Sequence, residues 1–538
     1  MTALVGVDVG TGSARAGVFA EDGRLLASAK RPVTMWTEAG DVVEQSSDQI
    51  WGAVCESVRE AVARAGVAAG EVAGVGFDAT CSLVALAPDG APVTVSPSGD
   101  PARNVVVWMD HRATAEAEEI NAGGHEVLAY VGGRISPEME TPKLLWLSRH
   151  LPDAYARAGH FMDLGDFLTW RATGSLARST CTVTCKWTYL AHEGRWDAAY
   201  FEAIGLSDLA AQGFARIGTE VVEPGTALGR GLTADAAADL GLVPGTPVGA
   251  ALIDAHAGGV GTLGAAVASA PDGVTRRLAY VFGTSACSMA STPAPLFVPG
   301  VWGPYFSAMI PGLWLNEGGQ SAAGAAIDHL VRLHPAAPGA ESLATREGLG
   351  LVAWLAREAQ GKATGPEGAA ALAGGVHVVP EFLGNRSPLA DPEARAVIAG
   401  LGLERDAASL VALYVAGLCG LGYGLRQLLD RFREAGLGIE LIVTSGGAAE
   451  SPLVRQLLAD ATGVAVAASE APEPVLLGAA MLGATAAGRH ASLSEAMAAM
   501  SGEARALRPT AGAARLHDRR YRAFEALQRA GFEIRRDD

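Results

Sequence analysis

The chain is short of cysteine. Six thiols in 538 residues are too few to staple a fold of this size, which excludes a disulfide scaffold and leads us to expect a reducing, cytoplasmic setting. It is also short of positive charge: 41 Lys and Arg stand against 58 Asp and Glu, a formal net charge of −17. A surface of that sign repels a phosphate backbone, so no nucleic-acid partner is expected. Long apolar runs are scarce. Ala407 to Leu425 lacks charge over a bilayer-spanning length, but it carries four glycines, Ser409 and two tyrosines, and reads as a buried core helix rather than a membrane span. The chain opens on a strand-like run and not on a basic, apolar leader. Two nucleotide signatures are missing as well. There is no Gly-x-x-x-x-Gly-Lys-Ser/Thr loop, and His111-Arg112 follows Asp110 in the reverse of the protein-kinase order.

What is abundant is apolar side chain and glycine: 49% hydrophobic residues and 68 glycines, enough for two or three domains with real cores. Strand-like runs alternate with Ala-rich helical segments, the α/β signature. Val72 to Phe77 leads to Asp78, Arg103 to Trp108 to Asp110, Pro247 to Ile253 to Asp254, and Glu440 to Thr444 to Ser445-Gly446-Gly447. Ligands gather at the carboxyl ends of such strands, so these polar clusters are where chemistry is sought. The first cluster is Asp8-Val9-Gly10-Thr11-Gly12-Ser13-Ala14-Arg15, between Leu4 to Val9 and Ala16 to Phe19. It reads as a hairpin turn whose glycines supply φ > 0 and close approach, whose hydroxyls donate, whose Arg15 brings charge, and whose Asp8 can hold a metal through water. A plain turn selects the same residues.

Tyr280-Val281-Phe282-Gly283-Thr284-Ser285-Ala286 echoes this loop, which points to an internal duplication of one domain type with a boundary near Gly258 to Gly264. The expected division is 1–258, 259–500 and a tail helix over 501–538. Pro335 to Gly374 reads as a helix-bearing insertion. Gly259-Val260-Gly261-Thr262-Leu263-Gly264 matches the dinucleotide fingerprint on paper, but Asp254 to Gly258 intervene after the strand, so close helix packing is the preferred reading. Cys181 and Cys185 lie four apart with no second Cys or His pair at zinc spacing, and are taken as packed thiols.

Asp8 to Arg15, the Asp254 strand end, Gly283-Thr284-Ser285, Glu317-Gly318-Gly319-Gln320-Ser321-Ala322-Ala323-Gly324 and Ser445-Gly446-Gly447-Ala448 follow one another in the order seen in FGGY carbohydrate kinases, which the chain resembles over nearly its whole length. The resemblance implies an α/β fold of two ribonuclease-H-like (actin and hexokinase-like) domains around a cleft that closes on ATP and sugar. Gly76 to Ser82, Trp108 to Ala113, Gly133 to Met139 and Cys185-Lys186-Trp187 are similar to the pentulose kinase branch, most of all to D-ribulokinase-type enzymes. Glycerol kinases carry an Arg-Glu pair where Cys81 and Ser82 stand.

By the same resemblance Asp254 is the general base; taken alone it also reads as a helix N-cap. Lys186 and Glu317 match sugar contacts, with Asp78, Ser82 and Asp110 as weaker candidates. Lys186 also reads as an exposed cation paired with Glu317, and Asp110 as a partner of Arg112. Trp108, Trp187 and Trp314 are candidates to stack on the sugar or to fill the core. For ATP the implied contacts are Thr11, Gly12, Ser13, Arg15, Gly283, Thr284, Gly324, Gly447 and Ser451, with Asp8 on Mg²⁺ through water; Ser445-Gly446-Gly447 and Ser451 also read as a helix start. The expected acceptor is D-ribulose, with L-ribulose, ribitol and D-xylulose as alternatives. A non-catalytic sugar or nucleotide sensor and an NAD-dependent dehydrogenase are the competing classes. The family allows a homodimer, for which the sequence carries no interface signature.

Overall fold

The computed structural model describes residues 2–38, 41–268, 273–365 and 367–537. Pro366 of the expected insertion and Asp538 of the expected tail lie outside them. Two sheets organise two lobes. In the first, Ala3–Gly10 pairs antiparallel with Ser13–Ala20, which pairs antiparallel with Leu25–Pro32; on its other edge Ala3–Gly10 runs parallel to Val72–Ala79, and that strand to Leu252–Ile253. The second lobe repeats the scheme. Arg277–Phe282, Ala286–Thr292 and Trp314–Gln320 form the antiparallel meander, and Leu441–Gly446 with Ala465–Ser469 extend the first of these in parallel. The same strand order built twice is the duplication that the repeated hairpin announced.

Two helices join the lobes. Asp254–Leu263 leaves the end strand of the first sheet and crosses Pro474–Ala486 of the second half, which lies on the first sheet. The crossing is tight because both helices present glycine to backbone. A Cβ at Gly261 would stand 1.9 Å from the Pro474 carbonyl oxygen, and one at Gly478 2.0 Å from that of Ala257. Gly261 of the apparent dinucleotide fingerprint therefore serves packing. The expected boundary after residue 258 passes through the Asp254–Leu263 helix, along which the chain moves from one lobe to the other.

Ala407–Glu434, the charge-poor stretch, is a largely buried core helix of the second lobe. The segment 337–373 forms helices Ala337–Arg346 and Leu351–Lys362 and a short 3₁₀ turn packed around it, with Trp354 and Leu355 buried. The terminal helix Ala514–Asp537 is docked and not free: His517 and Phe524 are buried, and the His517 Nδ1 lies 3.0 Å from the Tyr423 hydroxyl. The strands expected over 103–108 and 247–253 shorten to Val105–Val106 and Leu252–Ile253.

Since the Gly261 contact is with backbone that cannot swing aside, Gly261→Ala should cost about 3 kcal/mol or more. Gly52, inside the exposed face of Ser47–Ala65 with nothing within 4 Å of a Cβ, should instead gain about 0.5–1 kcal/mol as alanine. Urea midpoints of the two variants measure the contrast.

Candidate active site

Three aspartates arrive together because three parallel strands end side by side. Asp8 lies in register with Asp78, Leu252 with Asp78, and Asp254 follows Ile253 at the end of the neighbouring strand. The hairpin register also places Arg15 opposite Asp8. Its Nε donates to Asp8 Oδ2 at 2.7 Å, and its Nη1 reaches across the lobes to Glu473 Oε2 at 2.9 Å. Asp78 is fully buried and no N–H or hydroxyl reaches either of its oxygens. Burial first, then Asp8 and Asp254, push its pKa well above the usual range, so it stays protonated beside Asp8. Asp254 opens the helix Asp254–Leu263 without capping it: Oδ1 accepts from the Ala255 amide at 2.7 Å, and the N-cap is Ile253. Burial, then Asp8, raises its pKa to about 6.

Asp8, Arg15 and Asp254 floor a cavity of about 400 Å³ between the lobes, while Asp78 is buried and does not line it. Gly10, Thr11, Ser13 and Arg15 line it from the first hairpin and Gly283 and Ser285 from the second, so the two loops do face each other. Gly12 is exposed at the tip. Neither Gly10 nor Gly12 takes positive φ, contrary to expectation; their use is space, since a Cβ at Gly12 would meet nothing within 4 Å and one at Gly10 nothing nearer than 3.9 Å. Trp108 lines the cavity too and donates from Nε1 to the Thr11 hydroxyl at 3.0 Å.

Thr284 and Gly324 stand just behind the second hairpin. Thr284 O accepts from the amides of Ala323 and Ala325, and Gly283 O from that of Gly324, at 2.8, 3.2 and 3.0 Å. Gly447 neighbours Phe282 at the root of the same hairpin. Ser451 caps Pro452–Thr462, accepting from the Val454 amide, so its hydroxyl is committed to the helix.

Lys186 and Glu317 enter from the helix Thr180–Lys186 and the strand Trp314–Gln320. Lys186 is only 6% exposed, which removes the surface-cation reading. Burial works against its charge, but Cys81, Glu317, Tyr305 and Glu138 outweigh it and hold its pKa well up. Its Nζ lies 5.0 Å from the centre of the Trp302 ring, with the Arg386 guanidinium 5.6 Å from the same ring. Glu317 pairs with His256 at 3.2 Å instead of with Lys186. Burial alone would raise its carboxyl; His256, Lys186 and Arg386 bring it down to about 2.

Three weak candidates leave the cavity wall, the fully buried Asp78 among them. Asp110 is buried away from the cavity with Arg112 Nε and Nη2 at 2.9 and 2.7 Å and the Val43 amide at 2.6 Å, which makes it the loop brace that was the alternative reading. Ser82 accepts from the Trp108 amide and faces Thr80, while Cys81 and Thr80 line the cavity in its stead. Trp187 is core with 1% exposure, and Trp314 stacks on Tyr130, His192 and Phe306. Sequence reasoning missed Glu138, Trp302 and Arg386, all cavity-lining. Glu138 lay inside the quoted Gly133 to Met139 segment. Arg386 sits in Gly384-Asn385-Arg386-Ser387-Pro388, a turn cluster that signals a loop but not what it faces.

Residues 3–261 and 278–487 match the N-terminal and C-terminal domains of the FGGY family of carbohydrate kinases. The chain belongs to that family. It is 48% identical over 97% of its length to an FGGY carbohydrate kinase domain-containing protein of Danio rerio, 96% of which is covered. It is 38% identical over 90% of its length to a D-ribulokinase of Saccharomyces cerevisiae, 71% of which is covered. Its fold matches a xylulose kinase from Rhodospirillum rubrum with a TM-score of 0.79 at 22% identity, covering 99% of each chain. The protein is thus an ATP-dependent carbohydrate kinase with the two-domain actin and hexokinase-like architecture, a phosphotransferase acting on a sugar hydroxyl.

A base must be ionised to accept a proton. With Asp254 titrating at about 6, kcat/KM for the sugar should be level above that pH and fall about tenfold per unit below it; a profile flat down to pH 4.5 would contradict the assignment.

Proposed function

We propose that the enzyme phosphorylates a pentulose, with D-ribulose the favoured acceptor and D-ribulose 5-phosphate the product. The observation that carries the reading is the single cavity in which Asp254, Lys186 and Glu317 converge below the two phosphate-facing hairpins. The similarity to the yeast D-ribulokinase supports the choice of sugar. A pentulose offers a carbonyl and several hydroxyls, and the walls offer both kinds of partner: Lys186 and Arg386 donate, Glu317 and Glu138 accept.

Phosphoryl transfer asks the protein for alignment and charge neutralisation more than for covalent work. Asp254 takes the proton of the attacking hydroxyl as the new P–O bond forms and the bond from the γ-phosphorus to the bridging oxygen breaks, releasing ADP. Backbone amides of Gly10 to Ser13 and of Thr284 and Ser285, with the Thr11 and Ser13 hydroxyls, hold the phosphate chain from two sides. Arg15 supplies charge there, anchored by Asp8 and Glu473. Enclosure between the lobes excludes the water that would compete with the sugar. The donor set fits a hard divalent cation, since two carboxylates, Asp8 and Asp254, line the cavity. Bound Mg²⁺ would neutralise charge on the β- and γ-phosphates, held by Asp8 through water. The six thiols are free and fit a cytoplasmic setting.

ATP consumption with a panel of D-ribulose, L-ribulose, D-xylulose and ribitol tests the reading. The expected result is the highest kcat/KM for D-ribulose. A higher value for another acceptor reassigns the sugar, and no turnover with any of them returns the sensor reading.

A further inference from the structure

Behind the sugar side of the cavity, two buried side chains that the transfer reaction does not itself use form a line with Glu317. Cys181 Sγ lies 3.0 Å from His256 Nδ1, and His256 Nε2 lies 3.2 Å from Glu317 Oε2. Cys181 is fully buried, His256 1% exposed and Glu317 7%. The Ile253 amide donates to the same sulfur at 3.3 Å. Each member sits on an element that carries a working residue. Cys181 shares the helix Thr180–Lys186 with Lys186, His256 follows Asp254 by two residues on Asp254–Leu263, and Glu317 is the end of the line.

Burial by itself would keep the thiol neutral, but Cys185, His256 and the Ile253 amide outweigh it and hold the Cys181 pKa down. The imidazole is held up in turn, to about 10, by Cys181 and Glu317 against its own burial. Those directions favour a thiolate, an imidazolium and a carboxylate alternating in sign along the line, each bonded to its neighbour, with Glu317 alone reaching the cavity.

On that geometry, and resting on the sugar-kinase reading, we propose that Cys181 and His256 are positioning residues of the sugar site, a hydrogen-bonded chain that fixes the Glu317 carboxylate relative to Asp254 and Lys186. The chain explains why Glu317 is not quenched by Lys186. Its second oxygen and the Lys186 amine both remain available to the sugar, because the charge of Glu317 is balanced from behind.

A metal centre is the rival arrangement, since Cys181, Cys185 and His256 place three ligand atoms within 4.8 Å of one another, the third donor that the spacing of the two cysteines did not announce. Two features count against it. The Sγ to Nδ1 separation of 3.0 Å is that of a direct hydrogen bond, whereas tetrahedral zinc with bonds of about 2.3 and 2.0 Å holds such atoms about 3.5 Å apart. Among the described residues no fourth donor completes the group.

The test compares His256→Ala with His256→Gln in the full-length enzyme. Gln keeps an amide N–H where Nε2 meets Glu317 and loses the link to Cys181. In His256→Ala the KM for D-ribulose should rise about tenfold to a hundredfold with the KM for ATP within about twofold, and His256→Gln should recover most of the sugar KM. The ultraviolet absorbance of the Cys181 thiolate, read against Cys181→Ala, should vanish in both His256 variants. That signal needs no substrate, so it separates failure of the chain from failure of the kinase reading, which the acceptor panel decides. Equal changes in both KM values, an unchanged thiolate signal, or one tightly held metal ion per wild-type chain by mass spectrometry would each overturn the proposal.

Discussion

Three carboxyl groups crowd one sheet edge, and the site is built around keeping them there. Parallel register fixes Asp8, Asp78 and Asp254 to adjacent strand ends, where the Asp8 charge raises the pKa of both Asp78 and Asp254 and full ionisation of all three is unfavourable. The protein resolves this in three ways. Asp78 is buried and stays protonated, Asp8 takes the Arg15 guanidinium, and Asp254 is left partly open to the cavity with a pKa of about 6. A group with a raised folded pKa contributes stability at acid pH that is lost as pH rises through the folded value. At neutral pH the Asp254 charge therefore weighs on the fold.

The second half of the chain supplies what the first cannot. Glu473, at the start of the helix Pro474–Ala486, holds the far side of Arg15, and that helix rests on the first sheet through glycine contacts at Gly6 and Gly76, where an added Cβ would come within 1.9 and 1.8 Å of backbone oxygens. Rigid close packing at the crossing of the two lobes thus sets the distance between the hairpins. Lys186 and Arg386 bring positive charge to the cavity walls, and His256 stands behind Glu317, so the carboxylates there are balanced by side chains.

Much of this was legible in the sequence, for a physical reason. Turns that approach a ligand need small residues and hydroxyls at fixed offsets from a strand, so the loops at Gly10 to Ser13 and Gly283 to Ser285, and Asp254 at a strand end, carry local signatures. Duplicated topology followed from the repeated hairpin. Asp110 and Ser82 had the same strand-end signature yet turned inward, because Arg112 and the Trp108 amide claimed them. Local pattern does not say which way a polar side chain faces. Arg386, Trp302 and the meeting of Cys181 with His256 depend on contacts between residues distant in sequence, some 75 positions apart in the last case, and no local rule encodes them.

The central claim is that Asp254 performs the chemistry and that its charge is held there at a cost to stability. Asp254→Asn tests both halves in one variant, by turnover, ATP affinity and thermal unfolding at neutral pH. The account predicts turnover down by about a hundredfold to ten-thousandfold, ATP affinity close to wild type, and a higher Tm. Turnover near that of the wild type would contradict it.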